Sequence, residues 1–221
     1  VDCDRLIMNG DIIDGWQLHN SDDKWNSSHS AFFRVIMKMM ENHSTEVIYV
    51  SGNHDDFLDP IVPSKLFNIS FVSEYIIREE KHSYVVIHGH AFDSITARFR
   101  WISRLGDIGY NLLLKFNNMW NRARMRHGKE YYSFSKVIKH KVKQAVSLIS
   151  GFESDLEAFA RARGCDGIIC GHIHNPEDKM LKGGIHYLNS GDWVESLSAL
   201  VEDFDGNWSI LRYNDFVKPQ P

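Results

Sequence analysis

The chain has 221 residues and 43% hydrophobic side chains, enough to bury one substantial core, and we read it as a single domain over 1–221 with one insertion. No apolar run reaches about 18 residues, which excludes a membrane-spanning helix read from sequence. The net charge of −4 hides an asymmetry: residues 95–150 hold 12 Lys/Arg against Asp107 and Glu130, a balance of +10, while the remainder holds 13 basic and 27 acidic residues, a balance of −14.

In chain order, Arg5 to Asn9 reads as a short strand that delivers Asp11 to its C-terminal edge. Ser30 to Glu41 reads as a helix, with Phe32, Phe33, Ile36, Met37 and Met40 at helical spacing. Glu46 to Ser51 is a buried strand that runs into Gly52-Asn53-His54, and Ile69 to Ile77 and Ser83 to Ile87 are two more strands. Residues 95–150 interrupt this scheme with a mostly helical segment that is basic and aromatic. Phe152 to Arg163 is a helix closed by Gly164. Gly167 to Cys170, His186 to Asn189, Ser196 to Asp203 and Asn207 to Tyr213 complete the sheet, with Asp205-Gly206 as a hairpin signal. Strands alternating with helices, then a run of strands, give an α/β sandwich.

Four blocks carry chemistry: Gly10-Asp11-Ile12-Ile13-Asp14, Gly52-Asn53-His54-Asp55, His88 after Val86-Ile87, and Gly171-His172-Ile173-His174. Each falls just after a strand, where open α/β sheets place their sites. Carboxylate, amide oxygen and imidazole together suit Mn, Fe or Zn rather than a thiolate-bound structural zinc. Cys3, Cys165 and Cys170 make neither a metal spacing nor an even disulfide framework, which favours a reducing compartment.

These blocks, in this order, resemble the calcineurin-like metallophosphoesterase superfamily, whose pattern is Asp-x-His, Gly-Asp-x-x-Asp, Gly-Asn-His-Asp/Glu, His and Gly-His-x-His. The resemblance implies a four-layer α/β/β/α sandwich and two divalent metal ions, with Mn favoured over Fe or Zn. It implies that Asp11 bridges the two ions and that Asn53, His88 and His172 serve one of them. His174 would serve the other. It implies that His54 is a catalytic acid or charge stabiliser oriented by Asp14, that Asp55 holds its loop, and that His90 supports the ligands. The Asp-x-His block does not occur in this chain, so we expect the family's first strand to precede residue 1, and expect these 221 residues alone to be inactive or very weak.

Gly10 to Trp16, His88 to Asp93, Gly171 to His174 and Asn189 to Glu195 look most like the UDP-2,3-diacylglucosamine hydrolases and their relatives. That branch releases UMP and 2,3-diacylglucosamine 1-phosphate in lipid A synthesis, in the cytoplasm and peripheral on the inner membrane face. It carries Arg in place of His54 and Asp in place of His90, so this chain fits a sister branch acting on another nucleotide-linked or lipid-linked phosphodiester equally in pattern. The insertion falls where that branch carries an acyl-chain lid. Arg122, Arg124 and Arg126, with Trp120 and Tyr131, are the candidate substrate contacts, able to meet phosphate and an acyl chain. The bland alternative is an amphipathic helical pair with a solvated basic face. No stacking platform for nucleic acid is evident. A non-catalytic interaction scaffold of the same fold is the third reading.

Overall fold

A computed structural model describes residues 3–20, 25–92 and 151–216. The chain divides into two units, residues 1–90 with 157–221, and residues 91–156. The expected insertion at 95–150 lies outside the described residues, as do Arg122, Arg124, Arg126, Trp120 and Tyr131.

The first sheet has the order β1 (Arg5–Asn9), β2 (Glu46–Val50), β4 (Ile69–Val72), β3 (Ser64–Leu66). β1, β2 and β4 are parallel and β3 is an antiparallel edge. β2 reads Glu-Val-Ile-Tyr-Val, the nearly continuous apolar run of a strand covered on both faces. Its period-two alternation decides what each face meets. Val47 and Tyr49 join Met8 and Ile36 in one cluster, with Phe32, Phe33 and Met40 of helix α2 (Ser27–His43), which follows the short helix α1 (Gly15–Asn20), packed on it. Ile48 and Val50 enter a second cluster with Ile77, Tyr84, Val86, Ile169 and Leu188.

Those last five residues come from the second sheet, in the order β5 (Tyr75–Arg78), β6 (Ser83–Val86), β7 (Gly167–Cys170), β9 (His186–Asn189), β8 (Glu177–Met180). β6, β7 and β9 run parallel. Helix α3 (residues 151–162) is tied to the β8–β9 turn: the Gly183 N–H donates to Glu157 Oε1 at 2.7 Å, and the Arg161 guanidinium donates to the Gly183 carbonyl. The result is a mixed α/β sandwich, as the sequence implies. Among the described residues no helix is long and apolar enough to cross a membrane.

Helix α2 begins on a capping box: Asn26 Oδ1 accepts the N–H groups of Ser28 and His29, and the His29 ring accepts the Asn26 N–H. It stops at Ser44, which takes a left-handed conformation.

Three sequence expectations are corrected. Ile69 to Ile77 is not one strand: Ser73-Glu74 carries the chain from the first sheet to the second, and Arg163 donates to Glu74 Oε2 at 2.6 and 2.8 Å there. Met37 shares the spacing of the α2 core residues but is 55% exposed, because the apolar stripe is narrower than the run of apolar residues. The last two strands, β10 (Ser198–Glu202) and β11 (Trp208–Arg212), form their own antiparallel pair instead of extending the large sheet. Leu200 and Trp208 of that pair cover the cluster between the sheets. β8, with the polar sequence Glu-Asp-Lys-Met, was not legible as a strand.

Candidate metal centre

Asp11 follows β1, Asn53 and His54 follow β2, His88 follows β6, and His172 and His174 follow β7. All therefore lie at the C-terminal ends of parallel strands. The close approach of these turns depends on glycine. A Cβ on Gly10 would overlap the His88 ring, and one on Gly52 would overlap the Asp11 carboxylate.

Asp11, His88 and His172 form one cluster, each offering a ligand atom within 4.8 Å of the others. His88 Nε2 is 3.1 Å from Asp11 Oδ2, and His172 Nδ1 is 3.2 Å from His88 Nε2. On the other side of its ring, His88 Nδ1 lies 2.9 Å from the Asn9 carbonyl oxygen. A carbonyl only accepts, so Nδ1 carries a hydrogen and Nε2 of the neutral ring is an acceptor. Asp11 Oδ2, His88 Nε2 and His172 Nδ1 thus converge on one point, and the first two, both acceptors when the His88 ring is neutral, need a cation or a proton between them.

The charge balance fits this reading. Burial pushes the Asp11 carboxyl up, but the His88 hydrogen bond and charge, with the His54 backbone N–H at 2.8 Å, outweigh it and hold it down to about 2. Burial lowers His88, and its hydrogen bond to Asp11 more than reverses that, so the ring is raised. A proton here does the work a divalent ion would do. Asn53 adds an independent observation: its Oδ1 is buried with no hydrogen-bond partner, as a carbonyl reserved for a ligand would be. The donor set of carboxylate, amide oxygen and two imidazoles fits a divalent ion of the Mn, Fe or Zn kind.

The remaining candidates fall into three situations. His54 Nδ1 lies 3.2 Å from Asp14 Oδ1, with the Trp16 ring 4.5 Å from its own, and the side chain stays 34% exposed. Asp55 is fully buried and holds its turn: it accepts from Ile13 N at 2.9 Å, Tyr49 Oη at 2.8 Å and Gly52 N at 3.2 Å. His174 is not part of the three-residue cluster; its Nδ1 lies 2.8 Å from Asp192 Oδ2. The His90 ring is 5.7 Å from that of His88.

Asp11, His172 and His174 all have positive φ, at 55°, 58° and 56°. Such conformations are costly for side chains other than glycine and gather at functional sites. Sequence reasoning missed Asn9, whose backbone fixes the His88 tautomer, and gave no role to Asp192. Asn9 has no side-chain signal to find. Asp192 stands in the quoted Asn189 to Glu195 block.

A family model described as calcineurin-like phosphoesterase matches residues 1–176. The chain belongs to this family. No curated protein sequence matches it. Solved structures similar to this phosphoesterase include a novel archaeal phosphodiesterase, at 11% identity over 80% of this chain and 74% of that one, with a TM-score of 0.33. A predicted phosphoesterase from Streptococcus pneumoniae shares 13% identity over 94% and 81%, with a TM-score of 0.35. Vps29 from Entamoeba histolytica, complexed with zinc, shares 14% identity over 94% and 96%, with a TM-score of 0.34. Likenesses of this degree carry no argument about activity.

Proposed function

We propose that this phosphoesterase hydrolyses a phosphodiester or pyrophosphate bond in UDP-2,3-diacylglucosamine, releasing UMP and 2,3-diacylglucosamine 1-phosphate. The observation that carries the reaction class is the convergence of Asp11 Oδ2, His88 Nε2 and His172 Nδ1 on one point beside the unpartnered Asn53 Oδ1. The substrate rests on the sequence blocks shared with the UDP-2,3-diacylglucosamine hydrolases.

Asp11, Asn53, His88 and His172 would hold one divalent ion, Mn for preference, and Asp11 and His174 would contribute to a second. Bound divalent ions supply charge neutralisation at the phosphoryl oxygens and a nucleophile at neutral pH. His54 donates a proton to the leaving oxygen or stabilises charge on the transferring group. Asp14, at 3.2 Å from Nδ1, holds the His54 ring so that the other nitrogen serves the reaction. Arg122, Arg124 and Arg126 meet the diphosphate, and Trp120 and Tyr131 the acyl chains. The enzyme works in the cytoplasm, peripheral on the inner membrane face, without nucleic acid.

The presence of His54 where the hydrolase branch carries Arg favours a second reading, in which another nucleotide-linked or lipid-linked phosphodiester is the substrate. An oriented His54–Asp14 pair has no use in an interaction scaffold. The deciding experiment incubates the full-length protein with Mn²⁺, a lipid-permissive detergent and UDP-2,3-diacylglucosamine and follows UMP, with Asp11→Asn as the blank. UMP release that disappears in the blank supports the first reading. Bound Mn²⁺ without UMP release transfers the reaction to the second.

A further inference from the structure

Asp192 sits on the turn after β9 and is held from one side only. Its Oδ1 accepts the N–H groups of Val194, Glu195 and Ser196 at 3.2, 2.7 and 2.8 Å, and the Ser196 hydroxyl at 3.2 Å. The turn is anchored further from below. Gly191 N donates to Asn189 Oδ1 at 2.9 Å, and the Ser198 hydroxyl donates to the Ser190 carbonyl at 2.7 Å. Asn189 and Ser198 are themselves buried. One oxygen of Asp192 is therefore used to build a loop.

The other oxygen has no loop to build. Oδ2 is buried and has no aligned hydrogen-bond donor. What it faces is Nδ1 of His174 at 2.8 Å. A carboxylate oxygen and an imidazole lone pair repel at that distance, so Nδ1 must carry the hydrogen. In the neutral ring this leaves Nε2 as the acceptor. His174 itself has a φ of 56°, a conformation that persists only when its surroundings hold it.

We infer that Asp192 is a positioning residue for His174: it fixes the ring in the Nδ1–H tautomer and presents Nε2 as a ligand atom. This mirrors the first corner of the site, where the Asn9 carbonyl fixes His88 in the same tautomer from its outer side. Imidazole ligands are commonly oriented by an acceptor on the far nitrogen, and removing that acceptor costs 10–100-fold in metal affinity. The inference rests on the reading of His174 as a ligand, but its structural half stands without a metal.

Two variants separate positioning from loop building. Asp192→Asn keeps an oxygen for the three loop N–H groups and replaces Oδ2 with an NH₂, which cannot accept from His174. Ser196→Ala removes hydroxyl contacts within the loop and leaves Oδ2 in place. The first readout is the ring ¹⁵N–¹H correlation of His174 in metal-free protein. Wild type is expected to show Nδ1–H, Asp192→Asn to shift toward Nε2–H, and Ser196→Ala to match wild type. A wild-type ring already in the Nε2–H form, or one unmoved by Asp192→Asn, overturns the inference. The second readout is calorimetric titration with Mn²⁺. Asp192→Asn is expected to weaken the His174-dependent step about 10–100-fold, and Ser196→Ala to leave it unchanged. Equal weakening in both variants overturns it in favour of a loop role. Wild-type protein that takes up no Mn²⁺ counts against the phosphoesterase reading, while the ring spectra still decide the role of Asp192.

Discussion

Asp11 and Asp55 are two carboxylates brought together by the turns after β1 and β2, and the chain treats them in opposite ways. Asp55 is fully buried, and three donors from three different positions satisfy it. Asp11 has one oxygen on a backbone N–H, and turns the other toward His88 Nε2, with His172 Nδ1 in the same cluster. The region around Asp55 is closed chemically; the region around Asp11 is complete only with a cation or proton added. A buried carboxylate with all its donors is architecture, and one facing other acceptors is a binding site.

The comparison breaks first at His54, whose backbone N–H belongs to the Asp11 region while its side chain belongs to the chemistry. His54→Ala keeps that N–H and removes the ring. We expect kcat to fall about 10²–10⁴-fold, with Mn²⁺ binding retained by calorimetry. A matching loss of metal would assign the ring to the ligand shell instead.

Asp55→Ala tests the other side. It strands the N–H groups of Ile13 and Gly52 and the Tyr49 hydroxyl, the last in the core cluster beneath α2. Each stranded buried donor costs about 1–3 kcal/mol, and the three share one cavity, so a loss of about 3 kcal/mol or more is expected in chemical denaturation. Stability unchanged within 1 kcal/mol (about one lost hydrogen bond) would show that water replaces the carboxylate.

How much of this was legible in the sequence follows from the same contrast. The strands that deliver the site were readable because β1, β2, β6 and β7 are short apolar runs, each followed by a glycine or histidine turn. The ligand set was readable only through motif order, since nothing in Asp11 or Asp55 as residue types tells them apart. The positive φ of Asp11, His172 and His174, the Asn9 carbonyl behind His88 and the pairing of Asp192 with His174 are properties of folded turns. A sequence period does not encode them. Ile69 to Ile77 misled for a related reason: its apolar content is continuous, and only the two sheets competing for its halves divide it.

The smallest effect sharpens the contrast through pH, in metal-free protein. The Asp11 carboxyl is held down to about 2 from an ordinary 3.8. Its contribution is therefore fully present above pH 3.8 and is lost as pH falls toward 2. The His88 ring is raised above its ordinary 6.5, so its contribution is present below pH 6.5 and disappears as pH climbs through the raised value. Metal-free protein should thus weaken as pH rises above 6.5 and the proton between Asp11 and His88 leaves. Mn²⁺ should reverse this, because a cation takes the place of the departing proton and binds the neutral ring. Thermal unfolding from pH 5 to 9, with and without Mn²⁺, measures both limbs. Asp11→Asn should flatten the alkaline limb in metal-free protein and abolish the rescue by Mn²⁺. An alkaline limb that persists in Asp11→Asn would remove the site from the explanation.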